Sequence, residues 1–172
     1  KNGMLTPWGF NYNNDVQPIT VEDYVTSRYI LNPLRIWDCD RPVQAATAYL
    51  FTTADRAKDM KQKPVYVLNH SQHNFKQRST QPDLDEIEMW TDRTAKRMYE
   101  GAGLGPKDVD IFNPYDGYSI MSQFFLEAFQ WHGVKRGDAL KFYAGDISVK
   151  GPHPFNSSGG KDRKSTRLNS RH

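Results

Sequence analysis

The sequence runs to 172 residues, enough for one domain or parts of two, and its 37% hydrophobic and 13% aromatic content is low but sufficient for a packed core. No apolar run approaches the ~20 residues of a membrane span, no secretory signal opens the chain, and one cysteine with five histidines excludes an intrachain disulfide framework, argues against structural zinc and fits a reducing, cytoplasmic compartment. The formal net charge of +3 comes from Arg163, Lys164, Arg167 and Arg171 against Asp162, so residues 1–161 sum to zero and composition does not point to nucleic acid.

The chain opens on Lys1-Asn2-Gly3 without an initiator methionine, as a fragment or mature piece of something longer would. Residues 1–19 are rich in Asn, Gly and Pro and read as loop. Thr20-Val-Glu-Asp23 has the form of a capping box, with Asp23 in place of the usual Glu, and predicts a short helix from Val21 to Tyr29 that Asn32-Pro33 stops. Leu34-Arg-Ile36 is a short extended piece and Asp38-Cys39-Asp40 a polar corner. Ala45 to Thr53 is small and apolar, then β-branched and aromatic, and predicts a buried strand. A short helix over Thr53–Met60 and a second strand over Pro64–Leu68 follow. Asn69 to Pro82, with His70, His73, Lys76 and Arg78, is polar: a solvated crossover, or a basic lip facing an acidic ligand.

Asp83 to Gly101 carries Leu84, Ile87, Trp90, Thr91, Ala95 and Met98 at helical spacing, and Gly101-Ala-Gly103 supplies the stop. Val109 to Phe112 predicts a buried strand, and the apolar run Ile120 to His132 a helix. Between them stands Asn113-Pro-Tyr-Asp-Gly-Tyr-Ser119, a strand-to-helix turn. Pro114 ends the ladder, Gly117 permits a conformation closed to side chains, and Ser119 caps the helix. In an open α/β sheet this is the edge where ligands sit, and the turn delivers Tyr115, Asp116 and Tyr118 to it. A short helix over Asp138–Tyr143, a hairpin or edge strand over Gly145–Gly151 and a Gly/Ser loop ending at Gly160 complete the pattern. The alternation of strand and helix implies an α/β architecture.

Several stretches, in this order, resemble the thiolase superfamily: Asp38-Cys-Asp-Arg-Pro-Val43, Thr53-Ala-Asp-Arg-Ala57, Gly101-Ala-Gly-Leu-Gly-Pro-Lys-Asp-Val-Asp110, the 113–119 turn, Phe125-Leu-Glu-Ala128 and Asn156-Ser-Ser-Gly-Gly160. The nearest branches are the sterol-carrier-type thiolases and the thiolase-like aldolases of steroid side-chain breakdown. The resemblance implies part of a layered αβαβα fold. It assigns residues 1–70 to the end of an N-terminal half, 71–82 to a linker and 83–160 to the start of a C-terminal half. It implies acyl-CoA as substrate with no further cofactor and no metal, a homodimer, and a partner of OB-fold zinc-ribbon type. Residues 161–172 fit none of this; Asp162 to His172 resembles the conceptual translation of a sequencing adapter and is expected to be non-native and unpacked.

In the degradative thiolases the turn carries Asn-Glu-Ala-Phe and in the sterol-carrier type His-Asp-Cys-Phe, the first residue helping to form an oxyanion hole. Tyr115, Asp116, Gly117 and Tyr118 stand at those places here. A phenol can donate to an enolate oxygen or relay a proton, which leans toward aldolase rather than Claisen chemistry. The resemblance makes Tyr115 and Asp116 the catalytic candidates, and gives Gly117, Tyr118, Asn156, Ser157, Gly159 and Gly160 to the substrate. Cys39 matches neither catalytic cysteine of the family and reads as a packed thiol. The expected activity is retro-aldol cleavage of a β-hydroxyacyl-CoA. The alternatives are an acyl-CoA acyltransferase whose nucleophilic cysteine lies outside this chain, or a non-catalytic thiolase-fold subunit.

Overall fold

The computed structural model describes residues 17–40, 46, 48–73 and 83–157. Helix α1, Val21–Thr26, starts on the expected box: Thr20 Oγ1 accepts from the Asp23 amide at 3.1 Å while Asp23 Oδ2 accepts from the Thr20 amide at 2.8 Å. It ends three residues before the expected Tyr29. The Ser27 hydroxyl donates to the Tyr24 carbonyl, and Tyr29–Leu31 leave the helix to form strand β1, which pairs antiparallel with β2, Leu34–Arg35. A 3₁₀ turn over Ile36–Asp38 follows, and α2 occupies Ala54–Lys58.

The long helix α3, Leu84–Ala102, matches its expected limits. The Asp83 carboxylate accepts from the Glu86 amide at 2.7 Å, and Gly103 closes the other end at φ +66°. Ile87, Thr91 and Ala95, four residues apart, form its buried stripe. That stripe packs on α4, Ser119–Phe129. Trp90 meets Phe125 edge-on with ring centroids 5.3 Å apart, and Tyr99 meets Phe129 at 5.5 Å while donating to the Phe129 carbonyl at 2.7 Å. Beyond α4 the backbone turns sharply at Gln130 and His132, both at positive φ, and drives Trp131 into the core. There its indole donates to the Val109 carbonyl at 2.8 Å. Phe112, Leu126, Trp131, Val134, Ala139 and Phe155 form the core cluster. Helix α5, Ala139–Tyr143, is joined to it by Glu127, whose carboxylate accepts from the Ala139 amide at 3.1 Å.

Three expected strands, and the hairpin or edge strand expected over Gly145–Gly151, are not formed as such. Val109–Phe112 makes a single bridge, Phe112 to Phe155 in parallel sense, and Ile111 is 61% exposed. The described residues of Ala45–Thr53 and all of Pro64–Leu68 belong to no ladder, with Leu50 79% and Val67 69% exposed. The hairpin expected over Gly145–Gly151 is a turn, in which the Ser148 amide donates to Asp146 Oδ1 at 3.0 Å and the Gly151 amide to the Ser148 carbonyl at 2.9 Å. Apolar and β-branched content marks a capacity for strand, whereas a ladder needs a continuous neighbour, and among the described residues these segments have at most the single bridge to Phe155. The tail at 161–172 lies outside the described residues.

Candidate active site

The turn between Phe112 and α4 is fastened from both sides. On one side stands the corner Asp38–Asp40. Cys39 bridges antiparallel to Tyr118, the Asp40 amide donates to the Gly117 carbonyl at 2.9 Å, and the Ser119 hydroxyl donates to Asp38 Oδ1 at 2.8 Å. The other Asp38 oxygen accepts from the Tyr24 hydroxyl and from the Arg35 amide, each at 2.8 Å. Burial alone would raise the Asp38 pKa; the donors Arg35, Ser119 and Tyr24, with the Arg35 charge, outweigh it and hold the carboxyl below the ordinary aspartate value. Ser119 therefore spends its hydroxyl on Asp38 instead of capping α4; the cap position is Tyr118, which gives no side-chain bond.

On the other side stands Asn156. Its backbone amide donates to the Phe112 carbonyl at 3.2 Å, and its Nδ2 donates to Asp116 Oδ2 at 3.0 Å. Beneath the turn, the Ser122 hydroxyl donates to the Ser119 carbonyl at 3.1 Å and the Tyr143 hydroxyl to Ser122 Oγ at 2.9 Å. Burial first, then the charges of Asp116 and Glu127, push the Tyr143 phenol up to about 12 against the lowering effect of Ser122, so it stays protonated at neutral pH.

Tyr115 is 42% exposed. Its hydroxyl folds over Gly117: a Cβ built on that glycine would lie 2.1 Å from the Tyr115 oxygen. The glycine thus leaves space for the end of the Tyr115 ring, and its backbone is not left-handed. Tyr118 is exposed on the same turn and Ser157 half-buried beside Asn156. The structure brings Asp116 and Asn156 into contact and folds Tyr115 onto Gly117 between Asp116 and Tyr118. Gly159 and Gly160 lie outside the described residues. The Cys39 thiol is partly buried, and burial together with the charges of Asp38 and Asp40 pushes its pKa up, away from nucleophilic thiolate.

Sequence reading missed Asp38, Ser122 and Tyr143 as parts of this site. Asp38 receives Ser119 from 81 positions away and Tyr143 meets Ser122 across 21, distances at which no local pattern signals a partner. A groove of about 460 Å³ lined by Asp92, Tyr99, Glu127 and Arg136 among others includes none of Tyr115, Asp116 and Asn156. Its Arg136 is already engaged by Glu88 at 2.5 Å and Asp92 at 2.7 Å. Among the described residues no group of three or more His, Cys, Asp and Glu is placed to hold a metal ion, and no helix is long and apolar enough to cross a membrane.

Residues 71–167 match the sequence profile of the family described as thiolase C-terminal domain-like. The chain is 35% identical over 152 residues to 17-hydroxy-3-oxo-4-pregnene-20-carboxyl-CoA lyase of Mycobacterium tuberculosis, covering 84% of this chain and 38% of that protein. It is 27% identical over 154 residues to the steroid side-chain-cleaving aldolase of Thermomonospora curvata, with the same 84% and 38% coverage. A solved structure of an Ltp2-ChsH2(DUF35) aldolase superposes with a TM-score of 0.67 at 24% identity, over 92% of this chain and 42% of that one. The fold is therefore thiolase-like, and the chain spans about two fifths of the length of these relatives.

Proposed function

The chain belongs to the thiolase C-terminal domain-like family, and from that premise we propose that its full-length polypeptide cleaves a β-hydroxyacyl-CoA by retro-aldol chemistry. The observation that carries the proposal is the turn itself, where a phenol folded over Gly117 stands beside a carboxylate held by Asn156, at the place where the degradative thiolases have an asparagine and the sterol-carrier type a histidine. The relatives named as a lyase and as a side-chain-cleaving aldolase support the same direction.

In the proposed reaction a base takes the β-hydroxyl proton and a carbonyl forms at the β-carbon. The pair of electrons from the breaking Cα–Cβ bond passes into the thioester as an enolate, and protonation at Cα releases acyl-CoA. Tyr115 donates to the enolate oxygen or carries the proton, Asp116 orients it, and Tyr118, Asn156, Ser157 and the Gly159-Gly160 backbone shape the thioester pocket around Gly117. In this reading residues 1–70 end an N-terminal half, 71–82 link, and 83–160 begin a C-terminal half of a layered αβαβα protein. The protein is a cytoplasmic homodimer that uses acyl-CoA without a further cofactor. The two-component name of the solved aldolase supports a partner protein, for which we propose the OB-fold zinc-ribbon type.

Removing only the hydroxyl tests the proposal. Tyr115→Phe in the full-length protein should lower cleavage of a β-hydroxyacyl-CoA by ~10²–10³ with unfolding unchanged. Near-normal turnover removes Tyr115 from the mechanism, and loss of folding together with activity makes it a structural tyrosine.

A further inference from the structure

Asn156 is 9% exposed and sits at φ +45°, a left-handed conformation that asparagine tolerates better than other residues with a side chain. Its backbone is pinned by the Phe112 carbonyl, and the adjoining Phe155 bridges to Phe112 within the core. The orientation of its amide is set by charge: with Nδ2 3.0 Å from Asp116 Oδ2, the flipped amide would press one oxygen on another. The carbonyl oxygen Oδ1 is thereby fixed in direction, and it is buried with no hydrogen-bond partner among the described residues. A buried acceptor left unmade is costly, so a fold that holds one rigidly beside a carboxylate holds a receptor for a donor.

Resting on the acyl-CoA reading above, we infer that Asn156 is a two-ended positioning residue. Its N–H end holds Asp116, and its Oδ1 accepts a hydrogen bond from an N–H or O–H donor of the acyl-thioester ligand. A β-hydroxyacyl-CoA offers such donors in two places, the β-hydroxyl of the acyl chain and the amide N–H and hydroxyl groups of the CoA arm.

The test measures binding to the full-length protein by calorimetry, with 3-hydroxydecanoyl-CoA and decanoyl-CoA as probes. Asn156→Gly removes the side chain and leaves the left-handed backbone at ease. It should raise the dissociation constant for 3-hydroxydecanoyl-CoA about tenfold, the worth of one good hydrogen bond. Loss for both probes assigns the donor to the CoA arm; loss for the hydroxylated probe alone assigns it to the β-hydroxyl. Asn156→Asp places a carboxyl against Asp116, and the pair then shares a proton with one raised pKa. Binding by that variant should stand near the wild-type value in acid and fall as pH rises, a profile that mere filling of space does not give. It also carries the test if Asn156→Gly fails to fold. Wild-type affinity of the glycine variant for both probes, with a flat profile for the aspartate variant, overturns the inference. So does failure of the wild-type protein to bind either probe, which sinks the acyl-CoA reading with it. Binding without cleavage by the wild type removes the retro-aldol step and leaves the assignment of Asn156 standing.

Discussion

At the scale of single residues the site depends on Gly117 as much as on the groups that do chemistry. A methyl there collides with the far end of Tyr115, and because that ring is partly exposed it can swing away rather than force the backbone. Gly117 is buried but its backbone is open to a side chain, so the lower freedom of the unfolded chain offsets part of the cost; Gly117→Ala should therefore leave stability within about 1 kcal/mol while lowering turnover as far as Tyr115→Phe does. Kinetics and urea unfolding on the same preparation check both halves, and unchanged turnover shows that the phenol acts from elsewhere. The sequence alone marked this glycine for its backbone freedom. The reason found is the space over its Cα, which depends on where a side chain two residues earlier folds, and no local pattern carries that. Tyr115, Asp116 and Asn156 were legible because a proline, a glycine and a resemblance framed them. Asp38 read as mere polarity, since its three donors arrive from α1, from β2 and from α4.

At the scale of elements, α3 and α4 were readable because helical periodicity needs no partner to show itself: Ile87, Thr91 and Ala95 announce their face. Their packing supplies the platform on which the turn rests. Leu126 of α4 is fully buried in the cluster with Phe112 and Trp131, so Leu126→Ala should cost about 2–5 kcal/mol of unfolding free energy and loosen the turn above it. A denaturant midpoint shift smaller than that of an exposed control such as Leu140→Ala places Leu126 outside the cooperative core. The strands were the illegible part. Tyr49, Leu50 and Phe51, and Val65 to Leu68, have the right residues for the middle of a sheet, but pairing is a property of the neighbour, and relatives that match this chain extend well beyond it.

At the scale of the whole molecule, one imidazole and one carboxyl divide the acid response. His132 lies against His153 with ring centroids 4.2 Å apart and planes tilted by 49°, and burial first, then the neighbouring His153, hold its pKa below the ordinary 6.5. Above about 6.5 it is neutral in folded and unfolded chains and contributes nothing; as pH falls below that value the unfolded chain takes the proton first and stability declines. Asp38, held below the ordinary carboxyl value, contributes stability that is complete above about 4 and is lost as pH falls through its folded pKa. Acid titration of the urea midpoint should thus show two descents, the upper removed by His132→Gln and the lower by Asp38→Asn. A single descent that both substitutions leave in place would show that neither group governs it. The unladdered apolar segments bear on handling instead of chemistry. Tyr49-Leu-Phe51 and Val65-Tyr-Val-Leu68 are short, uncharged and rich in β-formers, the composition from which cross-β aggregates nucleate, and the gatekeepers beside the second are Lys61, Lys63 and Pro64. In the 172-residue chain on its own those flanking charges oppose self-pairing of these segments, so conditions that screen or remove them should favour strands formed between copies.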